Sequence, residues 1–295
     1  MMRLLATVFA ALAGLAFGSF LNVCLSRWPE GESIVKPRSH CRHCQHPLAW
    51  WENIPVVSWI TLRGRCRSCG ARIEWRYPLV ELTLGGLWGL VAWRFADMSV
   101  LATLPGPSLL DELARSIGRA VFSWLLVALA VLDAEYLWLP DRLTWPGMAL
   151  GFAYSIIPLP FGATFALFRW GRNVHLQAAL ASLMSMFLAA GLILLIRWLY
   201  KLLRHHEGIG LGDAKLMAML AAWLGLPGAL LSFFIGVTLG AVVALFVLAT
   251  RFAHQRDGNW ALTKLPLGTF LCIGGIVSAL WGQPIIAAYL RWAGF

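Results

Sequence analysis

The chain has 295 residues, 59% of them hydrophobic and only 13% charged, with a net charge of +10. A soluble domain carries roughly 45–50% apolar and about 25% charged residues, so a single water-soluble core is excluded. A disordered chain is excluded too, because it needs low hydrophobicity and high charge.

In a soluble protein the basic excess would suggest nucleic acid. Here the arginines flank apolar runs, which points to lipid headgroups and topology, with no nucleic-acid partner. A helix needs about 20 mostly apolar residues to cross the hydrocarbon core. The first such run covers 4–25. Its length, and Arg27 behind it, favour a retained span over a cleaved signal peptide. A hydrophilic segment follows at 27–77, and further apolar runs lie at 78–95, 117–132, 144–161, 176–203, 216–226, 229–249 and 267–292. The reading is an all-α polytopic membrane protein of about eight transmembrane helices. It divides into a first helix (1–26), a four-cysteine loop domain (27–77) and a larger membrane domain (78–295). Most of the 24 Lys and Arg residues fall on the side of the long loop. The positive-inside rule therefore predicts that this loop is cytoplasmic.

Within that loop, Cys41 and Cys44 form one C-x-x-C pair and Cys66 and Cys69 a second, with 21 residues between the pairs. Two such turns aim four sulfurs at one point, the usual tetrahedral shell for Zn²⁺. A reducing cytoplasm agrees with thiolates rather than disulfides. A loop this size has little core of its own, so the metal would supply folding energy. His40, His43 and His46 stand nearby and are read as surface residues, because four cysteines close the shell. Cys24 and Cys272 lie in apolar runs and are read as small buried hydrophobes.

Ionisable residues inside spans are functional candidates. Asp133 ends the third run in VLDAEYLWLPD, and Asp213 sits in EGIGLGDAKL at the start of the sixth. Two spans ending on one side can bring these carboxylates together. An ionised carboxylate takes a proton from water while its protonated partner polarises a peptide carbonyl. Gly210 and Gly212 allow the backbone to turn and approach closely beside Asp213. Asp141 reads as an N-cap or a supporting group, and Glu135 as solvated. Glu207 is a capping or supporting residue. Glu81, early in its span, either pairs with an arginine or lines the site. The aspartates alone also suit an ion- or proton-coupled transporter, although no internal repeat supports one.

Longer strings add to this: GSFLNVCLSRWP (18–29), PRSHCRHC (37–44), NIPVVSW (53–59), RGRCRSCGARIEWRYPLVE (63–81), the two aspartate motifs, and LPLGTF (265–270). Together they resemble the type IV prepilin peptidases, the bifunctional leader peptidase/N-methyltransferases of pilus and type II secretion systems. The resemblance covers most of the chain. It implies the fold of the GxGD intramembrane aspartyl proteases, with Asp133 and Asp213 as the catalytic pair. It implies cleavage of a basic leader after glycine, on the cytoplasmic side of the bacterial inner membrane. It further implies methylation of the new N-terminal residue, usually phenylalanine, with S-adenosylmethionine as donor. The substrates would be prepilins and pseudopilins, whose apolar helix would enter from the bilayer. The four-cysteine loop is similar to the zinc-binding domain of the bifunctional members. Cys24, Ser26 and the PLGTF string depart from the family's usual valine, tyrosine and PFGPF. No GxGxxG-type fingerprint marks a donor site. A membrane scaffold and a peptidase lacking methyl transfer are the other readings.

Overall fold

The structure, a computed structural model, describes residues 2–95, 106–156, 174–204, 210–253 and 265–294. Among the described residues there are eight α-helices and no strand. They are α1 (Met2–Arg27), α2 (Val57–Thr61), α3 (Arg76–Phe95), α4 (Gly106–Tyr136), α5 (Asp141–Ile156), α6 (Val174–Arg204), α7 (Leu211–Ala253) and α8 (Leu267–Trp292), with a 3₁₀ turn at Trp50–Asn53. Five of them, α1, α4, α6, α7 and α8, are long and apolar enough to cross a bilayer. The eight apolar runs of the sequence fall on seven of these helices, α7 taking two of them. The runs at 216–226 and 229–249 are two helices that join end to end as α7, of 43 residues together. That is about twice the length needed to span hydrocarbon. Its two arms meet at Gly225, whose φ of 69° and ψ of 175° break the helical path two residues before Pro227. Helix α3 carries Arg76, Glu81 and Arg94, and the run at 144–161 continues past the described end of α5. Phe9, Phe187 and Phe234 are each at least 70% exposed. Side chains of this kind on apolar helices suit a hydrocarbon solvent rather than water.

The chain forms two compact units, Met1–Ala128 and Leu129–Phe295. In the first, α1 and α3 pack along a seam of small residues, which brings backbones together where lipid offers no hydrophobic drive. A methyl group added at Gly18 would lie 2.7 Å from the Glu81 Cα, and one at Gly14 would lie 2.5 Å from the Leu84 carbonyl oxygen. Gly18→Leu is therefore expected to force α1 and α3 apart at a cost of about 1–3 kcal/mol. A lowered thermal unfolding midpoint in detergent would record it, and an unchanged midpoint would count against the seam. Polar ties close the two ends of the seam. The Asn22 amide donates to the Tyr77 carbonyl at 2.9 Å, and the Arg3 guanidinium donates to the Trp93 carbonyl.

In the second unit, α7 packs against α5, α6 and α8. The Trp223 indole N–H on α7 donates to the Gly147 carbonyl of α5 at 2.8 Å. Gly274 of α8 lies against the Ser232 carbonyl of α7, and the Ser278 hydroxyl donates to the Gly228 carbonyl at 2.9 Å. The core of this unit is the first arm of α7, where 216–222 are all buried. That arm carries Asp213 in its first turn.

Candidate active site and metal site

Asp133 and Asp213 both lie in the second unit, and both are buried, at 5% and 9% exposed. Asp133 occupies the last turn of α4, and Asp213 the first turn of α7. Each carboxylate sits within the electrostatic field of the other. The side chain of Leu139, in the link between α4 and α5, gives the geometry. It lies against Gly212, with its Cβ 3.2 Å from where a methyl there would stand, and against Gly268, where the Cδ1 distance is 3.0 Å. Gly212 precedes Asp213. A methyl at Gly268 would come within 2.9 Å of Asp133 Oδ2. One leucine thus touches the neighbours of both acids.

Backbone amides hold each carboxylate. The Thr269 N–H, at the start of α8, donates to Asp133 Oδ2 at 2.7 Å, and the Thr269 hydroxyl lies 3.2 Å from the same oxygen. The Gly210 N–H donates to Asp213 Oδ2 at 3.2 Å. Cys272, one turn beyond Thr269, is fully buried. These contacts orient the carboxylates without neutralising them, since no cation pairs with either acid among the described residues.

The other candidates separate. Asp141 is the first residue of α5, while the Pro140 carbonyl accepts the N–H groups of Leu143 and Thr144. Its carboxylate does not cap the helix; it pairs with Lys215 Nζ of α7 at 2.6 Å. The pair fastens α5 to the helix that carries Asp213. Glu135 is exposed. Glu81 lies in the first unit, where its Oε2 accepts the Val56 N–H at 2.7 Å. Val56 has a φ of 61°, a costly conformation for a β-branched residue, so this bond holds the loop in an otherwise disfavoured turn. Glu207 lies outside the described residues. Thr269 and Gly268 were missed as contacts of Asp133, although their string, LPLGTF, stands out in the sequence. A threonine hydroxyl 136 positions away from its acid gives no local signal.

The four loop cysteines converge in the first unit. Their Sγ atoms all lie within 4.8 Å of one another, with Cys41–Cys69 at 3.9 Å and Cys44–Cys66 at 4.0 Å. A tetrahedral Zn–S shell at about 2.3 Å per bond sets sulfurs a little under 4 Å apart, so the cluster could hold a metal ion of this size. The two knuckles have the same construction. In each, the first cysteine's N–H donates to the carbonyl five residues on (His46; Ala71), and its carbonyl accepts the N–H four residues on (Gln45; Gly70). A bridge closes each turn, His40 to Pro47 and Arg65 to Arg72. The N–H groups of Cys69 and Ser68 point at the Cys66 sulfur and lower its thiol to about 7, while sharing hydrogen bonds with the other sulfurs pushes the Cys69 thiol up to about 11. Gln45 and Gly70 occupy equivalent left-handed positions, at φ 58° and 71°. Only the second has the residue that tolerates this without cost. Gln45→Gly is expected to stabilise the loop by up to about 1 kcal/mol, read as slower proteolysis of 27–77.

Two family models match this chain in succession. "Bacterial Peptidase A24 N-terminal domain" matches residues 12–95, and "Type IV leader peptidase family" matches residues 120–245. A Stutzerimonas stutzeri protein is 36% identical over 98% of this chain and 96% of its own length. A Pseudomonas aeruginosa protein is 35% identical over 96% and 93%, and one from Burkholderia pseudomallei (strain 1026b) is 36% identical over 94% and 85%. All three are named prepilin leader peptidase/N-methyltransferase. The chain belongs to the type IV leader peptidase family. Within it, the N-terminal match takes in the latter part of α1, the four cysteines and α3, and the peptidase match takes in Asp133, Asp141 and Asp213. The α8 residues that touch Asp133 lie beyond that match. No solved structure matches.

Proposed function

We propose that this enzyme cleaves the leader from prepilins and type II pseudopilins through Asp133 and Asp213, and then methylates the exposed amino group. The observation that carries the peptidase reading is the pair of buried, amide-held carboxylates whose neighbours share one leucine. Two acids in one field do not ionise together readily, so a single proton is shared between them. The ionised member takes a proton from the attacking water. The protonated member donates to the scissile carbonyl oxygen as the tetrahedral centre forms. The proton then passes to the leaving nitrogen. Thr269 and Gly210 keep the acids aimed while this occurs. Gly212 leaves room for Leu139 beside Asp213, and Gly210 lets the backbone come close enough to donate to its carboxylate.

Methyl transfer needs a donor, and S-adenosylmethionine supplies an electrophilic methyl on a sulfonium. The amine lone pair forms the new N–C bond, the C–S electron pair stays on sulfur, and the amine proton goes to water. Zn²⁺ is the ion proposed for Cys41, Cys44, Cys66 and Cys69, as a structural centre with no open position. The domain reading follows: a first helix, a zinc loop at 27–77 facing the cytoplasm, and a membrane domain at 78–295, in the bacterial inner membrane. The basic residues of the loop support that sidedness.

The test is incubation of the purified protein with a prepilin, with and without donor, followed by intact-mass measurement. Leader loss in both reactions and a further 14 Da (about the mass of one added CH₂) only with donor is expected. Leader loss without the added mass would reduce the enzyme to a peptidase. No leader loss would remove the proposal.

A further inference from the structure

The mechanism above makes no use of Asp141, yet two chain paths place it close to the chemistry. It follows Leu139, which touches the neighbours of both acids, by two residues. Two residues of chain reach at most about 7 Å. Its partner, Lys215, follows Asp213 by two residues in α7. Asp133 and Asp213 are buried and must stay free of cations to share a proton, so they cannot also read a charged substrate. A third, exposed carboxylate beside them can. The Asp141 side chain is 58% exposed and that of Lys215 34%. An ion pair this open to water is weak, so another cation can displace the lysine. Lys215 Nζ holds Oδ1 at 2.6 Å, and no other group among the described residues bonds to the carboxylate. Trp145, one turn along the same face of α5, is 61% exposed. A carboxylate with an aromatic ring beside it suits a lysine or arginine side chain: the acid takes the charge, and the ring takes the stem or the cation's face.

We infer that Asp141 is the subsite for a lysine or arginine side chain of the leader, which it accepts in exchange for Lys215. The inference rests on the leader-peptidase reading above. Lys215 acts as a resident competitor. It balances Asp141 while the site is empty and is released to water when the substrate's cation arrives. The packing of α5 on α7 does not depend on the pair alone, because the Trp223 indole still donates to the Gly147 carbonyl. Arginine can engage both carboxylate oxygens at once, whereas lysine meets them as a point charge.

The experiment uses the full-length protein in detergent and two fluorescent prepilin peptides. One keeps the basic residues of its leader, and the other has glutamine in their place. The unaltered protein is expected to favour the basic peptide in kcat/KM, and that preference to shrink as salt is raised, because the subsite is exposed. The salt series needs no variant, so it does not depend on variant folding. Asp141→Asn is expected to raise KM for the basic peptide about fivefold and to cut the preference by the same factor, with Asp141→Glu restoring it. Lys215→Gln is expected to act in the opposite direction and lower KM for the basic peptide, since the competitor is gone. A bond that merely fastened α5 to α7 would be lost equally in Asp141→Asn and Lys215→Gln, and both would weaken cleavage of both peptides alike. That outcome, an unaltered preference in Asp141→Asn, or a preference indifferent to salt would overturn the subsite while keeping the peptidase. No cleavage of either peptide by the unaltered protein would remove the peptidase reading, and the subsite with it.

Discussion

Asp133→Asn and Asp213→Asn are each expected to lower leader cleavage by at least about a thousandfold, and the double variant to fall no further than either single one. The sizes follow from roles rather than from stability. A positioned general acid or base contributes roughly a hundred- to ten-thousandfold. Two groups that share one proton act as a unit, so their losses do not add. The change to asparagine keeps the shape and leaves an oxygen for the existing donors. In the first variant the amide oxygen still accepts from the Thr269 N–H, and in the second from the Gly210 N–H. The fold should therefore persist, with the unfolding midpoint close to that of the parent. Rates against a fluorescent prepilin peptide, with midpoints measured in the same detergent, would check both claims. Normal processing by either variant would refute the catalytic assignment.

Metal removal should have the second large effect, confined to the loop. Between 28 and 75, only Glu52, Gly64 and Cys66 are buried. Those three residues supply almost no apolar burial, whereas a structural zinc site supplies roughly 10 kcal/mol or more of folding free energy. Cys66→Ser, or prolonged chelation, is expected to release the ion and expose 27–77 to limited proteolysis at least about tenfold faster. The helices should stay protected. Metal content by elemental analysis and peptide mapping of the digest would report the two parts. A loop that keeps its protease resistance after the metal has gone would show that another force holds it.

Much of this was legible in the residues, and the illegible part has a physical pattern. The apolar runs gave the helices because hydrocarbon demands continuous stretches of side chain. The two C-x-x-C pairs gave the cluster because a knuckle is a local structure. The break between the runs at 216–226 and 229–249 was legible too, since Gly225 and Pro227 mark it and Gly225 leaves the helical region there. Asp141 looked like a cap because its neighbours in sequence suggested it, but its partner, Lys215, is 74 positions away. Glu81 offered an arginine or the active site as partners and found the backbone of Val56 instead. Thr269 carries the general lesson. The string containing it was visible, but nothing within a few residues indicated which acid it would reach.

Leu139 touches the glycines beside both acids and carries no charge. It works as a shim between the two segments that present the acids, since its bulk fills the space that Gly212 and Gly268 leave open. Trimming that side chain would leave a void beside both segments, and thickening it would press on both at once. The proposed site thus leans on a residue with no chemistry of its own.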